Sequence, residues 1–134
     1  DRIDKHPMDR QKHGKDAEAA ALKFLKQQGL KPLHQNYHCR SGEIDLIMLD
    51  RSSLVFIEVR SRSHKSWGGA SASVDNNKQR KLIKTAQYFL SQNPSFNDVV
   101  CRFDVVAYEA SFTGNTGDSC PMWYKDAFRP EATF

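Results

Sequence analysis

The sequence predicts an α/β fold, a mixed β-sheet flanked by helices in the order α-β-β-β-α-β. Apolar residues recur at helical spacing in two stretches, one near residues 17–25 and one near 82–90. Two β-rich runs, residues 43–49 and 54–61, are separated by only a few turn-forming residues. The length of 134 residues fits one compact domain and leaves little room for a second. Residues 1–9 are polar, carry Pro7 and are expected to form a flexible arm; residues 10–134 are expected to form the single domain.

The first helix is expected from Arg10 to Gln28. Ala17, Ala20, Ala21, Phe24 and Leu25 follow the i, i+3, i+4, i+7, i+8 spacing of a buried face, and Gly29 supplies the stop. A first strand is expected over 31–38, broken by Ser41-Gly42. The runs 43–49 and 54–61 read as a hairpin around Asp50-Arg51-Ser52-Ser53. Residues 62–74, with Gly68-Gly69, read as an open loop. A second helix over 75–92 would bury Leu82, Ile83, Ala86, Phe89 and Leu90, and Asn93-Pro94 ends it. A fourth strand follows over 99–108. Residues 110–119 are turn-rich, and the tail 121–134 carries Trp123, Tyr124, Phe128 and Phe134, enough apolar surface to dock on the core.

Composition sets limits on function. Cys39, Cys101 and Cys120 are too few and too scattered for a disulfide framework, and no CxxC pair suggests zinc. No apolar run approaches a membrane span. The first residues are charged and lack the apolar core of a signal peptide, so a cytoplasmic protein is expected. The chain opens on Asp1 rather than Met, so its natural start is expected to differ. The formal net charge is +4. Between residues 51 and 90 eight basic residues face two acidic ones, whereas residues 91–134 hold three basic and six acidic. A basic centre suggests an anionic partner on one face; a solvated basic surface is the plainer alternative.

The hairpin register brings acids together. In an antiparallel hairpin the numbers of facing residues have a constant sum. A two-residue Arg51-Ser52 loop sets that sum at 103 and puts Asp45 opposite Glu58 and Glu43 opposite Arg60. These four side chains would share one side of the sheet, and Ile44, Leu46 and Met48 would share the other with Val55, Ile57 and Val59. A three- or five-residue loop would break the pairing. Facing carboxylates in apolar strands repel each other, and burial makes this worse. A hard dication such as Mg²⁺ resolves the conflict, because it takes carboxylate and water oxygens. The alternative is a salt-bridge cluster in which Arg60 and nearby lysines neutralise the pair. Glu18, at the edge of the buried helical stripe, adds a third acid or else stays in solvent.

These residues resemble a known family. Glu18 and Ala19 with Gly14 in the first helix, Gly42-Glu43-Ile44-Asp45-Leu46-Ile47, Val55-Phe56-Ile57-Glu58-Val59-Arg60, Trp67-Gly68-Gly69-Ala70, Lys78-Gln79 and Arg102-Phe103-Asp104-Val105-Val106 together resemble the YraN-like family of the PD-(D/E)XK nuclease superfamily. The resemblance spans about Gly14 to Phe128. It implies a restriction-endonuclease-like core, similar to that of Holliday-junction resolvases, in which Asp45 and Glu58 ligate Mg²⁺ (Mn²⁺ as a substitute), Glu18 completes the acidic cluster and the Val59 carbonyl is a further ligand. The chain departs from the superfamily pattern at Arg60, where the motif has lysine. Arginine stays protonated and cannot act as a general base, although it can neutralise charge on a phosphate.

The expected function is Mg²⁺-dependent hydrolysis of phosphodiester bonds in DNA, ahead of RNA, with branched or recombination intermediates as candidate substrates. The alternative is a catalytically silent nucleic-acid-binding module that keeps the fold. Glu18, Asp45, Glu58, Arg60 and Gln79 are the candidate catalytic residues. Gln79 would orient Glu58 or a water, or serve as a structural amide. Arg60, Arg62, Lys65, Trp67, Lys78, Arg80 and Lys81 are the candidate nucleic-acid contacts; Trp67 would stack on a base or pack its own loop. An Arg102–Asp104 ion pair is expected to be structural. No membrane partner is expected, and a homodimer would suit a resolvase of symmetric junctions.

Overall fold

The computed structural model describes residues 7–61, 74–108 and 121–130, with side chains described from Lys15 onward. Helix α1 runs Pro7–Gln27 and strand β1 Lys31–Cys39. Strands β2 and β3 run Gly42–Asp50 and Ser53–Ser61. Helix α2 runs Asn76–Gln92, followed by a 3₁₀ turn at Pro94–Phe96, then β4 over Cys101–Tyr108 and β5 over Met122–Phe128. The sheet has five strands in sequence order, with β3 and β4 parallel and every other neighbour antiparallel. The expected mixed sheet flanked by two helices is what the chain adopts. β3, α2 and β4 form a crossover unit, the connection that parallel neighbours require.

Two element ends fall outside the expected bounds for local reasons. α1 begins three residues before Arg10, at Pro7, because proline's fixed φ and missing N–H suit the first helical position. The aromatic tail is not merely docked: β5 pairs with β4 as a fifth strand. Lys125 and Asp126 hide this in the sequence. A register shift falls between Phe103 and Val105, and Asp126 adopts a left-handed φ of 55°, so β5 lacks clean alternation.

α1 stops where Gly29 takes φ 101°, a conformation that costs glycine little. The N–H groups of Gly29 and Leu30 cap the carbonyls of Lys26 and Leu25, each at 3.0 Å, as in a Schellman motif. α2 starts at Asp75, whose carboxylate accepts the Lys78 N–H at 2.8 Å.

The sheet buries both faces. On the α1 side Ala17, Ala21 and Leu25 pack on Leu46, Met48, Val55 and Ile57. On the α2 side Leu82, Ala86 and Phe89 pack on Ile47, Leu54, Phe56 and Val105. Ile44 corrects one expectation. It packs with Ile47 on the α2 side rather than with Leu46 and Met48. Between those positions β1 bends at Asn36, which has φ 54° and lies level with Asp45, between the Gln35–Leu46 and Tyr37–Ile44 pairs. Side-chain alternation therefore resets at Asp45. Among the described residues no helix is long and apolar enough to cross a membrane, and Cys39 and Cys101 are free thiols.

Candidate functional site

The β2–β3 ladder has the expected register, with Asp50 facing Ser53 and Leu46 facing Ile57. It ends at Leu46–Ile57, one step before Asp45 and Glu58 would meet. Beyond that point the strands part, and the Asp45 carboxylate turns into the seam to accept the Val59 N–H at 2.8 Å. A side chain thus takes the hydrogen bond that a continued ladder would have given to backbone. The Glu43–Arg60 pairing expected from the register lies past this opening, and Glu43 is exposed.

Four elements converge on the opening. α1 supplies Glu18, which hydrogen-bonds Asp45 and accepts from the Asn36 side chain on β1. β2 supplies Asp45 and β3 supplies Glu58. Burial is the main cause that lifts Asp45 to about 7; the Val59 N–H opposes it, while Glu18 and Glu43 add to it. Burial, then the charge of Asp45, lifts Glu58 to about 7 against the pull of Lys78 and Arg60. Both acids are therefore poised between charged and neutral forms near neutral pH.

α2 supplies Lys78. Its Nζ lies 3.1 Å from a Glu58 oxygen, with the Glu58 side chain 12% exposed and the Lys78 side chain 52%. Burial acts to lower the Lys78 pKa, but the Glu58 carboxylate overrides it and leaves it raised. Sequence reasoning placed Lys78 on a substrate phosphate; the structure pairs it with Glu58. The amide of Gln79, one residue on, donates to the Val74 carbonyl at 2.7 Å. Gly42 sets the distance between the β1–β2 turn and α2, since a Cβ there would stand 3.1 Å from Thr85 Oγ1 and 3.5 Å from Lys81 Cβ. Arg80 and Lys81 are exposed on the same helix. Arg60 is half-buried and lies within electrostatic reach of Glu58 and Lys78. Arg62, Lys65 and Trp67 lie outside the described residues.

A family model described as "Uncharacterised protein family UPF0102" matches residues 17–108, a span that holds Glu18, Asp45, Glu58, Arg60 and Lys78. The chain belongs to the UPF0102 family. It is 52% identical over 120 residues to a UPF0102 protein of Pseudomonas syringae pv. tomato, covering 89% of this chain and 94% of that one. A UPF0102 protein of Alcanivorax borkumensis is 56% identical over 96 residues, covering 72% and 77%. One from Stutzerimonas stutzeri is 50% identical over 118 residues, covering 88% and 95%.

Does the UPF0102 site suit a dication? The donors at the opening are carboxylate oxygens, the chemistry a hard ion prefers. Two of them belong to half-buried acids that repel each other, and Glu58 has a close cationic partner in Lys78. Among the described residues no three His, Cys, Asp or Glu side chains form a ready metal-binding group. The fit therefore rests on the Asp45–Glu58 pair, with Glu18 bonded to Asp45 behind it. Asn36 is the site feature the sequence reading missed, whereas the Lys78–Glu58 contact is of the kind the salt-bridge alternative expected, without naming the lysine. Asn36 carried no signal, because its strand reads as regular in the sequence.

Proposed function

We propose that this UPF0102 protein is a metal-dependent nuclease that hydrolyses phosphodiester bonds in DNA. The observation that carries the reading is the opening of the β2–β3 ladder at Asp45 and Glu58, where two half-buried carboxylates sit at about 7. Asp45 and Glu58 would hold Mg²⁺, or Mn²⁺ in its place. Such an ion supplies Lewis-acid stabilisation of the phosphate and a lowered pKa for bound water.

The chain's own residues do the rest. The Val59 N–H fixes the Asp45 carboxylate, so its free lone pairs face the opening in a set orientation. Asn36 and Asp45 together fix Glu18. Lys78 neutralises Glu58 until the site is loaded, and its ammonium then stands beside the place where phosphate charge accumulates. Arg60 adds a permanent positive charge and cannot remove a proton from water. Arg80 and Lys81 on the exposed side of α2 would follow the nucleic-acid backbone, as would Arg62, Lys65 and Trp67 from the 62–73 segment.

Arg60 also supports a second reading, a silent module that binds nucleic acid without cutting it. One experiment separates the two. Purified protein is incubated with duplex, single-stranded, flap and four-way DNA in Mg²⁺, Mn²⁺ or EDTA, beside Asp45→Asn and Glu58→Gln. Metal-dependent cleavage lost in both variants is the expected result. Binding without cleavage, unchanged in both variants, would leave the silent module.

A further inference from the structure

At the opposite end of the hairpin from Asp45, on the α1 side of the sheet, lies a second concave region of about 570 Å³. That volume is within the range of small-ligand sites, about 300–1,000 Å³. Its lining includes Arg51, Ser52 and Ser53 from the β2–β3 turn, Arg102 from β4, and Trp123 and Lys125 from β5. The charge runs in the sequence conceal this grouping, because Arg102 and Lys125 come from the acidic half of the chain.

The region has a fixed part and an open part. Arg102 is fixed: its Nε lies 2.9 Å from Asp104 Oδ1, and its Nη2 lies 2.9 Å from Asp50 Oδ2. Among the described residues its remaining nitrogen, Nη1, has no partner. Trp123 is fixed as well, since its Nε1–H donates to Asp104 Oδ2 at 2.9 Å and its ring meets Phe24 edge-on at 5.9 Å between centroids. Lys125 Nζ lies 4.4 Å from the centre of that ring. Arg51 is exposed, held at the turn by φ 58°. Among the described residues neither Arg51 nor Lys125 has an ion-pair partner. Among the described residues Asp50 is the single acid in the lining; Arg102 is shared between it and Asp104, so that trio carries one net negative charge, which the two positive charges of Arg51 and Lys125 outweigh. The C-terminal carbonyls of α1 nearby are partly capped by Gly29 and Leu30, which blunts the negative end of the helix.

We infer that this region is a second ligand site, one that takes the phosphate of a nucleotide or of a nucleic-acid strand on Arg51, Arg102 and Lys125 beside the indole of Trp123. A preset guanidinium edge loses little entropy on meeting a phosphate. Two exposed cations and two serine hydroxyls complete the donors, and an indole edge or face suits a base. The site shares no residue with the Asp45–Glu58 centre, so it stands or falls apart from the nuclease reading.

The test uses the full chain with Trp67→Phe, which leaves Trp123 as the sole tryptophan reporter. Deoxyadenosine monophosphate and a four-nucleotide oligo(dA) are titrated separately in EDTA. A saturable change in Trp123 emission that weakens with salt is expected. Arg51→Glu should weaken binding by about tenfold or more, the loss of one charge-assisted contact. Lys125→Glu, followed by calorimetry because Lys125 touches the reporter ring, should do the same. Both positions are exposed, so these variants keep the buried Asp104 contacts intact. Asp45→Asn with Glu58→Gln should bind unchanged. Tighter binding of the oligonucleotide would identify a strand as the ligand, and equal binding a single nucleotide. No saturable change with either ligand, or full affinity in Arg51→Glu, would overturn the site.

Discussion

Two groups of acids withdrawn wholly or partly from water lie on the same sheet, and they are built in opposite ways. Asp104 is fully buried and surrounded by donors: Arg102, the Trp123 indole N–H and the Asp126 backbone N–H all reach its two oxygens at 2.9–3.2 Å. Asp45 and Glu58 are also withdrawn from water, yet Asp45 has one backbone donor and a second acid, and Glu58 has one half-exposed lysine. The first arrangement compensates its charge internally and ties β4, β5 and the β2–β3 turn together. The second leaves its charge only partly compensated, by Lys78 and Arg60 at Glu58. Such a conflict is what binding sites are built from, which is why the proposed function is placed on the second group and a structural role on the first.

The sharpest way to break this comparison is to damage the satisfied acid. Asp104→Asn replaces an acceptor by an NH₂ that must face either Arg102 and Trp123 or the Asp126 N–H. The expected cost is about 3–5 kcal/mol, a fall in Tm on the order of 10 °C or more, read by thermal denaturation. A drop of only a degree or two would mean that the network is incidental.

The unsatisfied acids should respond with the opposite sign. Their folded values near 7 lie above the ordinary 3.8 and 4.5, so between those limits the folded state holds more protons than the unfolded. Their contribution to stability is present below about pH 4 and is lost as pH rises through 7. The amide pair Asp45→Asn with Glu58→Gln removes that loss while keeping an acceptor for the Val59 N–H. In metal-free buffer the variant should match the wild type near pH 4 and exceed it by on the order of several kcal/mol at pH 8. Urea midpoints measured across pH give this difference curve, and a flat curve would place both acids in ordinary solvent.

Millimolar Mg²⁺ at pH 8 sharpens the same contrast with a smaller effect. It should raise the wild-type Tm by a few degrees, since ten- to hundredfold saturation is worth about 1–3 kcal/mol, and should leave the amide variant unmoved. Equal shifts in both would assign the effect to general ionic screening.

How much of this was legible beforehand depends on how local its cause is. The two helices, the Gly29 stop and the hairpin register follow from short-range pattern, and the sum rule held from Asp50–Ser53 to Leu46–Ile57. It could not show that the ladder opens next, where the Asp45 carboxylate takes the Val59 N–H and Asn36, level with Asp45 on β1, has a left-handed φ. The swing of Ile44 to the α2 face falls at the same place. β5 was hidden for a related reason, as its bulge and left-handed Asp126 erase the period of two. Arg102–Asp104 could be read as an i, i+2 pair on one strand face, but its links to Asp50 and Trp123 join segments far apart in the chain. The Lys78–Glu58 contact is likewise tertiary, and a charge run cannot specify which lysine turns inward.

Lys78 gives the smallest of the expected effects and the one that connects α2 to the acids. It occupies the first turn of α2, where its own N–H is bound by the Asp75 side chain at 2.8 Å. The Gln79 backbone N–H bonds the Asp75 carbonyl at 2.9 Å, so one residue fixes the start of the helix twice. Asp75→Ala keeps the backbone bond and loses the side-chain one. It should cost about 1 kcal/mol, a typical N-cap value. The lysine keeps its length and charge, but its backbone anchor loosens and Glu58 is neutralised less of the time. The Glu58 carboxyl should then titrate at higher pH than in the wild type, which carbon-13 NMR of the side-chain carboxyl reads directly. An unchanged titration beside a normal loss of stability would show that Lys78 finds Glu58 without help from the cap, and the ordering of α2 would then matter to the fold alone.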